Sequence, residues 1–242
     1  MIISFEHEFI FLATRGTDSD RIERALTQGC GPLDVITPLK ARDQRINAPL
    51  AVGAQNYVGF RPPLNAKGME SREAFSKALK RQARAYVFLP RMSAAKVREI
   101  IGQRIWERFT KFAIDRNPWA RVATGRLNWA KRNNASVADL RRMSLPNNFY
   151  CNSTSYCIDN KLAVDKLFRY ETLSIELPAL LISRDIPFDM QYISRANTMT
   201  PEQIKSLFDA EAAEQIGKRC SCAIKILNYD YEATVSPSAK PA

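Results

Sequence analysis

An apolar run that ends on an arginine and passes at once into Asn-Pro-Trp constrains the chain more than any other stretch. Residues 111 to 126 read Lys-Phe-Ala-Ile-Asp-Arg-Asn-Pro-Trp-Ala-Arg-Val-Ala-Thr-Gly-Arg. Phe112, Ala113 and Ile114 have the continuous apolar character of a strand buried on both faces. Pro118 then opens a helix, because the first turn of a helix has no use for the N–H that proline lacks. Arg116 therefore stands at the end of a strand beside a helix N-terminus, a place suited to an anion. The helix continues to about Arg132 and carries Arg121 and Arg126 among small and apolar residues.

The same alternation recurs along the chain. Phe9-Ile10-Phe11-Leu12 reads as a buried strand, followed by the polar loop from Ala13 to Asp20 and a helix marked by Ile22, Ala25 and Leu26. Residues 29 to 72 are rich in Pro, Gly, Asn and Ala and lack periodicity. A basic helix is expected from Ser71 to about Arg84, and a strand over Tyr86 to Leu89. Ser93 caps a helix over Ala94 to Ile101. Further helices are expected over Ile105 to Arg108, near Val137 to Met143, over Thr172 to Ile182, and from Pro201 behind its cap Thr200. A strand falls within Leu162 to Tyr170. Strands alternating with helices predict an α/β fold: a single domain over residues 1 to 231, with a central parallel sheet flanked by helices. The Ser-, Pro- and Ala-containing tail from 232 to 242 is expected to be disordered.

Thirty-six Lys and Arg against 25 Asp and Glu give a net charge of +11, which favours an anionic ligand. A nucleic-acid reading of that charge ranks low, because no RNP, zinc-finger or helix-turn-helix signature accompanies it. No stretch approaches the ~20 apolar residues of a membrane span. Met1 to Leu12 is apolar but is interrupted by Glu6, His7 and Glu8, and it has no basic start, so it does not read as a signal peptide. Five cysteines, an odd number, then fit a reducing, cytoplasmic setting. Cys220-Ser-Cys222 and Cys151…Cys157 lack zinc-site spacing, and one histidine cannot complete a Cys/His set, so no metal is expected.

The stretch around Arg116-Asn117-Pro118-Trp119, with a hydroxyl residue at Thr124 on the following helix, resembles the nucleotide 3′-phosphate motif of sulfotransferases. The strand Phe9 to Leu12 with its loop and helix lies where that family places its 5′-phosphosulfate loop. Cys30 to Pro38 is similar to a segment of bacterial members acting on carbohydrate-like or small acceptors. Asp165 to Leu173 looks like the family's strand ending in Arg-Tyr-Glu-x-Leu. The resemblance implies a P-loop-like sulfotransferase fold and a donor, 3′-phosphoadenosine 5′-phosphosulfate (PAPS). It also implies a small-molecule or carbohydrate acceptor bearing a hydroxyl or amine. On the matching positions, Arg15, Gly16, Thr17, Ser19 and Arg21 would surround the 5′ end of the nucleotide. Arg116, Thr124 and Arg195 would hold its 3′-phosphate.

Two departures bear on activity. The family's loop reads Lys-Thr-(Ala/Gly)-Gly-Thr-Ser, whereas this chain has Gly16-Thr17-Asp18-Ser19-Asp20-Arg21. The lysine is Gly16, the phosphate-facing glycine is Ser19, and two carboxylates enter a cradle for a polyanion. Like charges at ~4 Å cost about 1 kcal/mol in water and more when desolvated. Arg15 and Arg21 are candidates to replace the lost cation. The histidine that many members use as base corresponds to Arg91 in Pro90-Arg91-Met92-Ser93-Ala94, and a guanidinium cannot take a proton near neutral pH. The catalytic candidates are thus Arg15, Arg21, Arg91 and His7, with Glu6, Glu8, Asp34 and Asp115 as substitute bases. Two readings remain open: an active sulfotransferase, or a sulfotransferase-fold protein that has lost PAPS use.

Overall fold

A computed structural model describes residues 1–39, 52–58, 88–143, 151–193 and 199–231. The expected helix from Ser71, Tyr86 and Val87 of the expected strand, Arg195, and the tail from 232 lie outside the described residues.

Three parallel strands form the heart of the sheet. β2 (Phe9–Leu12) pairs with β4 (Thr110–Asp115), and β4 pairs with β7 (Lys166–Arg169). The register sets Leu12 opposite Ala113 and Asp115 opposite Arg169, so all three strands end at the same edge. The wholly parallel sheet expected from the sequence needs correction. β1 (Ile2–Ser4) runs antiparallel to β2 and to β3 (Val35–Ile36), giving a mixed five-stranded sheet in the order β3-β1-β2-β4-β7. The polar interruption at Glu6-His7-Glu8 is the turn of the β1–β2 hairpin. Glu8 takes the left-handed backbone there, with φ 50°. Asp34 ties that turn to the start of β3: its carboxylate accepts from Ser4 Oγ at 2.9 Å, Phe5 N at 2.6 Å and Gly31 N at 2.9 Å. β5 (Cys157–Ile158) and β6 (Lys161–Leu162) make a separate small hairpin.

Alternation along the strands sorts the interior into two cores. Ile2, Phe9, Phe11, Phe112, Ile114 and Phe168 face one side. They meet α1 (Ser19–Leu26) through Ile22, Ala25 and Leu26, and α7 (Leu173–Ser183) through Leu173, Leu177 and Leu181. Ile3, Ile10, Leu12, Ala113 and Leu167 face the other side. That side is covered by α2 (Ala94–Ile101), α4 (Pro118–Asn133), α9 (Ala210–Arg219) and α10 (Ser221–Leu227). The shorter helices are α3 (Gln103–Arg108), α5 (Val137–Arg142), α6 (Ser153–Tyr156) and α8 (Pro201–Lys205). No helix among the described residues is long and apolar enough to cross a membrane.

α4 starts as the sequence predicts. Asn117 is its N-cap, accepting from Ala120 N at 3.1 Å, and Pro118 fills the first turn. Trp119 is buried and donates its indole N–H to Ala213 O at 2.9 Å, which locks α4 to α9. Arg126 is buried as a structural residue, its guanidinium over the Phe208 ring and donating to Leu207 O.

Phe112 stands among Phe9, Phe11 and Phe168, with ring centroids 5.4 to 6.2 Å apart. Truncation of a buried Phe removes its burial and leaves a cavity, so Phe112→Ala should cost about 3–5 kcal/mol. Denaturant unfolding measures this, and a cost below about 1 kcal/mol would displace Phe112 from the core.

Candidate functional site

The ends of the three parallel strands carry a concentration of arginines. In open α/β sheets the loops after the carboxyl ends of the strands are where ligands bind. Arg15 follows β2, Arg116 follows β4, and Arg169 closes β7. Arg116 is buried, with its guanidinium 4.8 Å from the centroid of Tyr170. Arg169 lies 4.7 Å from the centroid of Tyr229, and its Nε is buried with no hydrogen-bond partner among the described residues. Both guanidinium groups lie over ring faces, where cation–π attraction helps to hold them in place.

The carboxylate of Asp115 organises this edge. It is fully buried and accepts from Arg116 N at 2.8 Å, Asn152 Nδ2 at 2.8 Å and the Tyr156 hydroxyl at 2.6 Å. Asn152 also grips the Thr14–Asp18 loop: Arg15 N donates to its Oδ1 at 3.0 Å, and its Nδ2 donates to Arg15 O at 3.0 Å. One asparagine side chain therefore fastens the loop after β2 to the end of β4. Burial pushes the Asp115 carboxyl above its usual range, opposed by the nearby Arg121 cation and the three hydrogen bonds.

The loop itself is closed by its own polar groups. Thr14 N donates to Ser19 Oγ at 3.1 Å, and Thr17 Oγ1 lies 2.8 Å from both Thr14 Oγ1 and Ser19 Oγ. Thr14 Oγ1 in turn donates to Ile114 O, anchoring the loop to β4. Thr17 and Ser19, two of the expected nucleotide ligands, are buried within this network. Both carboxylates of the loop have partners. The Tyr170 hydroxyl donates to Asp18 Oδ2 at 2.5 Å. Arg91 forms an ion pair with Asp20 at 3.3 Å and donates its Nε to Thr14 O at 3.3 Å. Arg91 thus neutralises one of the two loop carboxylates.

Gly16 adopts φ 72°, and a Cβ there would stand 2.8 Å from Arg121 Cγ. The stem of Arg121 from α4 fills the space that a side chain at 16 would need. Arg121 is buried and donates from Nη2 to Cys220 Sγ at 3.6 Å. The stem of Arg121 thus packs against the loop at Gly16, while its guanidinium reaches Cys220. Arg15 is exposed, and Arg21 turns away, its Nη2 donating to Gln191 O at 3.5 Å.

The remaining candidates are distributed over both ends of the sheet. His7 sits in the β1–β2 turn, where its N–H donates to Ser4 Oγ at 3.1 Å, at the opposite end of β2 from the loop. Glu8 pairs with Arg108 at that same far end, and Asp34 holds the hairpin turn. Glu6 lies in the same turn, its N–H donating to Asp34, so of the substitute bases Glu6, Glu8, Asp34 and Asp115 only Asp115 stands at the arginine-bearing edge. Thr124 Oγ1 donates to Ala120 O at 2.9 Å, the ordinary back-bond of a helical threonine. Asn152, Tyr156, Tyr170, Arg169 and Arg121 were not singled out from sequence as site residues. Asn152 and Tyr156 lie in a turn-rich stretch without periodicity, and only Arg169 and Tyr170 had a signal, the Arg-Tyr-Glu end of their strand. The described residues contain no group of three or more His, Cys, Asp or Glu placed to hold a metal ion.

No protein-family model, curated protein or solved structure matches this chain.

Gly16→Ala should destabilise by more than about 1 kcal/mol, since a positive φ and the Arg121 stem both oppose a Cβ. Equal stability of the two proteins in denaturant would remove the close Gly16–Arg121 contact. Asp115 gives a prediction in pH. A carboxyl whose folded pKa is raised holds its proton more tightly when folded. Wild type should therefore lose stability relative to Asp115→Asn as pH rises from 3.8 through the raised folded value, and the difference should then level off. Unfolding midpoints measured across pH check this, and the opposite slope would mean that the hydrogen bonds outweigh burial.

Proposed function

We propose that the edge formed by the ends of β2, β4 and β7 binds an anionic nucleotide. PAPS or its product 3′-phosphoadenosine 5′-phosphate is the ligand class, and sulfuryl transfer to a hydroxyl or amine of a small molecule or carbohydrate is the reaction. One observation carries this reading: the parallel pairing of β2 with β4 sets the loop from Thr14 to Asp20 beside Arg116. Those are the two elements that the resemblance assigns to the two ends of one nucleotide. Arg116 and Arg169 supply cations, and Arg121, whose stem packs against Gly16, supplies a third near Asp115. Guanidinium groups suit phosphate and sulfate in shape and charge. Bound there, the donor would supply the sulfuryl group, and transfer of that kind depends on positioning and charge stabilisation more than on proton transfer.

The residues fit the nucleotide in charge, but not the family's way of holding its 5′ end. The loop hydroxyls are bonded to one another, and Asp18 and Asp20 are committed to Tyr170 and Arg91. That observation favours a second reading, a sulfotransferase-like chain that has given up PAPS and uses the arginine edge for another anion.

Calorimetric titration with 3′-phosphoadenosine 5′-phosphate separates the readings. On the first, binding is micromolar, about −8 kcal/mol, and Arg116→Ala weakens it by about 1.5–3 kcal/mol. Absence of binding at millimolar nucleotide supports the second. Tight binding that Arg116→Ala leaves unchanged would sink the placement of the site.

A further inference from the structure

The helix α7 (Leu173–Ser183) is apolar on two sides. Leu173, Leu177 and Leu181 are buried against the sheet in one of the two cores. On the other side Ile175, Ala179 and Ile182 follow one another at i, i+4 and i+7, the spacing of a single helical stripe. All three are exposed, Ile175 to 76% and Ile182 to 67%. Scattered apolar residues are ordinary on a protein surface. The other large hydrophobics of high exposure among the described residues are Val58, Leu89, Trp129, Val137, Leu162 and Met190, and no two of them share a helix or strand. Only α7 carries two, and they lie on one stripe. A helix that is apolar all round belongs between two partners, and the sheet supplies one of them.

The exposed stripe is complementary to itself. Two α7 helices laid antiparallel, with a two-fold axis crossing between Pro178 and Ala179, set Ile175 of each copy against Ile182 of the other. The small Ala179 and the half-buried Pro178 then stand at the crossing, where the helix axes can approach to about 8–10 Å. Charge obeys the same symmetry. Glu176 lies in the first half of the helix, 3.7 Å from Lys166, and the exposed Arg184 caps its C-terminal end. The antiparallel placement brings Arg184 of one copy within a helical turn of Glu176 of the other, and it opposes the two helix dipoles. A parallel placement would put Arg184 beside Arg184.

We propose that α7 is the interface of a homodimer, in which two copies of this chain pack their Ile175–Ala179–Ile182 stripes antiparallel about a two-fold axis. Such an interface is isologous, the same patch serving both copies. One helix stripe covers less than the ~800 Å² per partner of a standard interface, so a dimer that dissociates in the micromolar range is expected. α7 begins directly after the turn Tyr170–Thr172, whose Tyr170 ring lies against Arg116. Dimerisation would therefore brace one side of the arginine edge, whichever anion that edge binds.

The test is sedimentation equilibrium of the full-length protein from low to high micromolar concentration. The unaltered chain should pass from monomer to dimer, with no larger species. Ile175→Glu and Ile182→Lys should each remain monomeric. Both positions are exposed, so the unfolding midpoints of the monomers should match that of the dilute unaltered protein. An equimolar mixture of the two variants should regain the dimer, because one facing pair becomes Glu–Lys while the other stays Ile–Ile. Arg184→Glu should weaken the dimer several-fold. A protein that stays monomeric at every concentration leaves this face to a different partner and overturns the proposal. A dimer that survives both isoleucine variants, a mixture that fails to re-associate, or an unchanged affinity in Arg184→Glu overturns it as well.

Discussion

Everything at the arginine-bearing edge depends on one buried carboxylate. Asp115 ends β4 at the centre of the parallel strands, and its oxygens accept from the next backbone N–H, from Asn152 and from Tyr156. Water is excluded there, so each donor withdrawn would leave part of a charge or dipole uncompensated. The arrangement joins what lies far apart in sequence. Through Asn152 it binds the loop after β2, and through Tyr156 it binds the helix before β5. The loop, the strand ends and the small hairpin are thereby held as one unit around the arginines.

The arginines are held by rings as much as by carboxylates. Arg116 rests on Tyr170 and Arg169 on Tyr229, while the hydroxyls of those tyrosines bond Asp18 and Glu171. Each tyrosine thus contacts a cation with its ring and a carboxylate with its hydroxyl.

Much of this was legible in the sequence, for identifiable reasons. The strand from Thr110 and the helix from Pro118 announce themselves through a continuous apolar run and an Asn-Pro cap, both local signals. Ser93 and Thr200 mark their helices in the same way. β1 was missed because Ile2 and Ile3 are too few to show a period, and its antiparallel partner is what breaks the expected parallel sheet. Within the site, Arg116 was readable because its neighbours define a strand end. Asn152 and Arg121 were not. Their importance comes from contacts with residues more than a hundred positions distant, Arg15 for Asn152 and Gly16 for Arg121. His7 precedes β2 in the sequence, and the structure accordingly puts it at the end of that strand opposite the loop.

The exchange between Gly16 and Arg121 bears on how this edge would respond to motion. A cation carried on a loop travels with the loop, so opening the site would also carry away its charge. Here the stem rises from α4, a sixteen-residue helix locked to α9 through Trp119. The Arg121 stem would therefore stay with its helix while the loop rearranged against it.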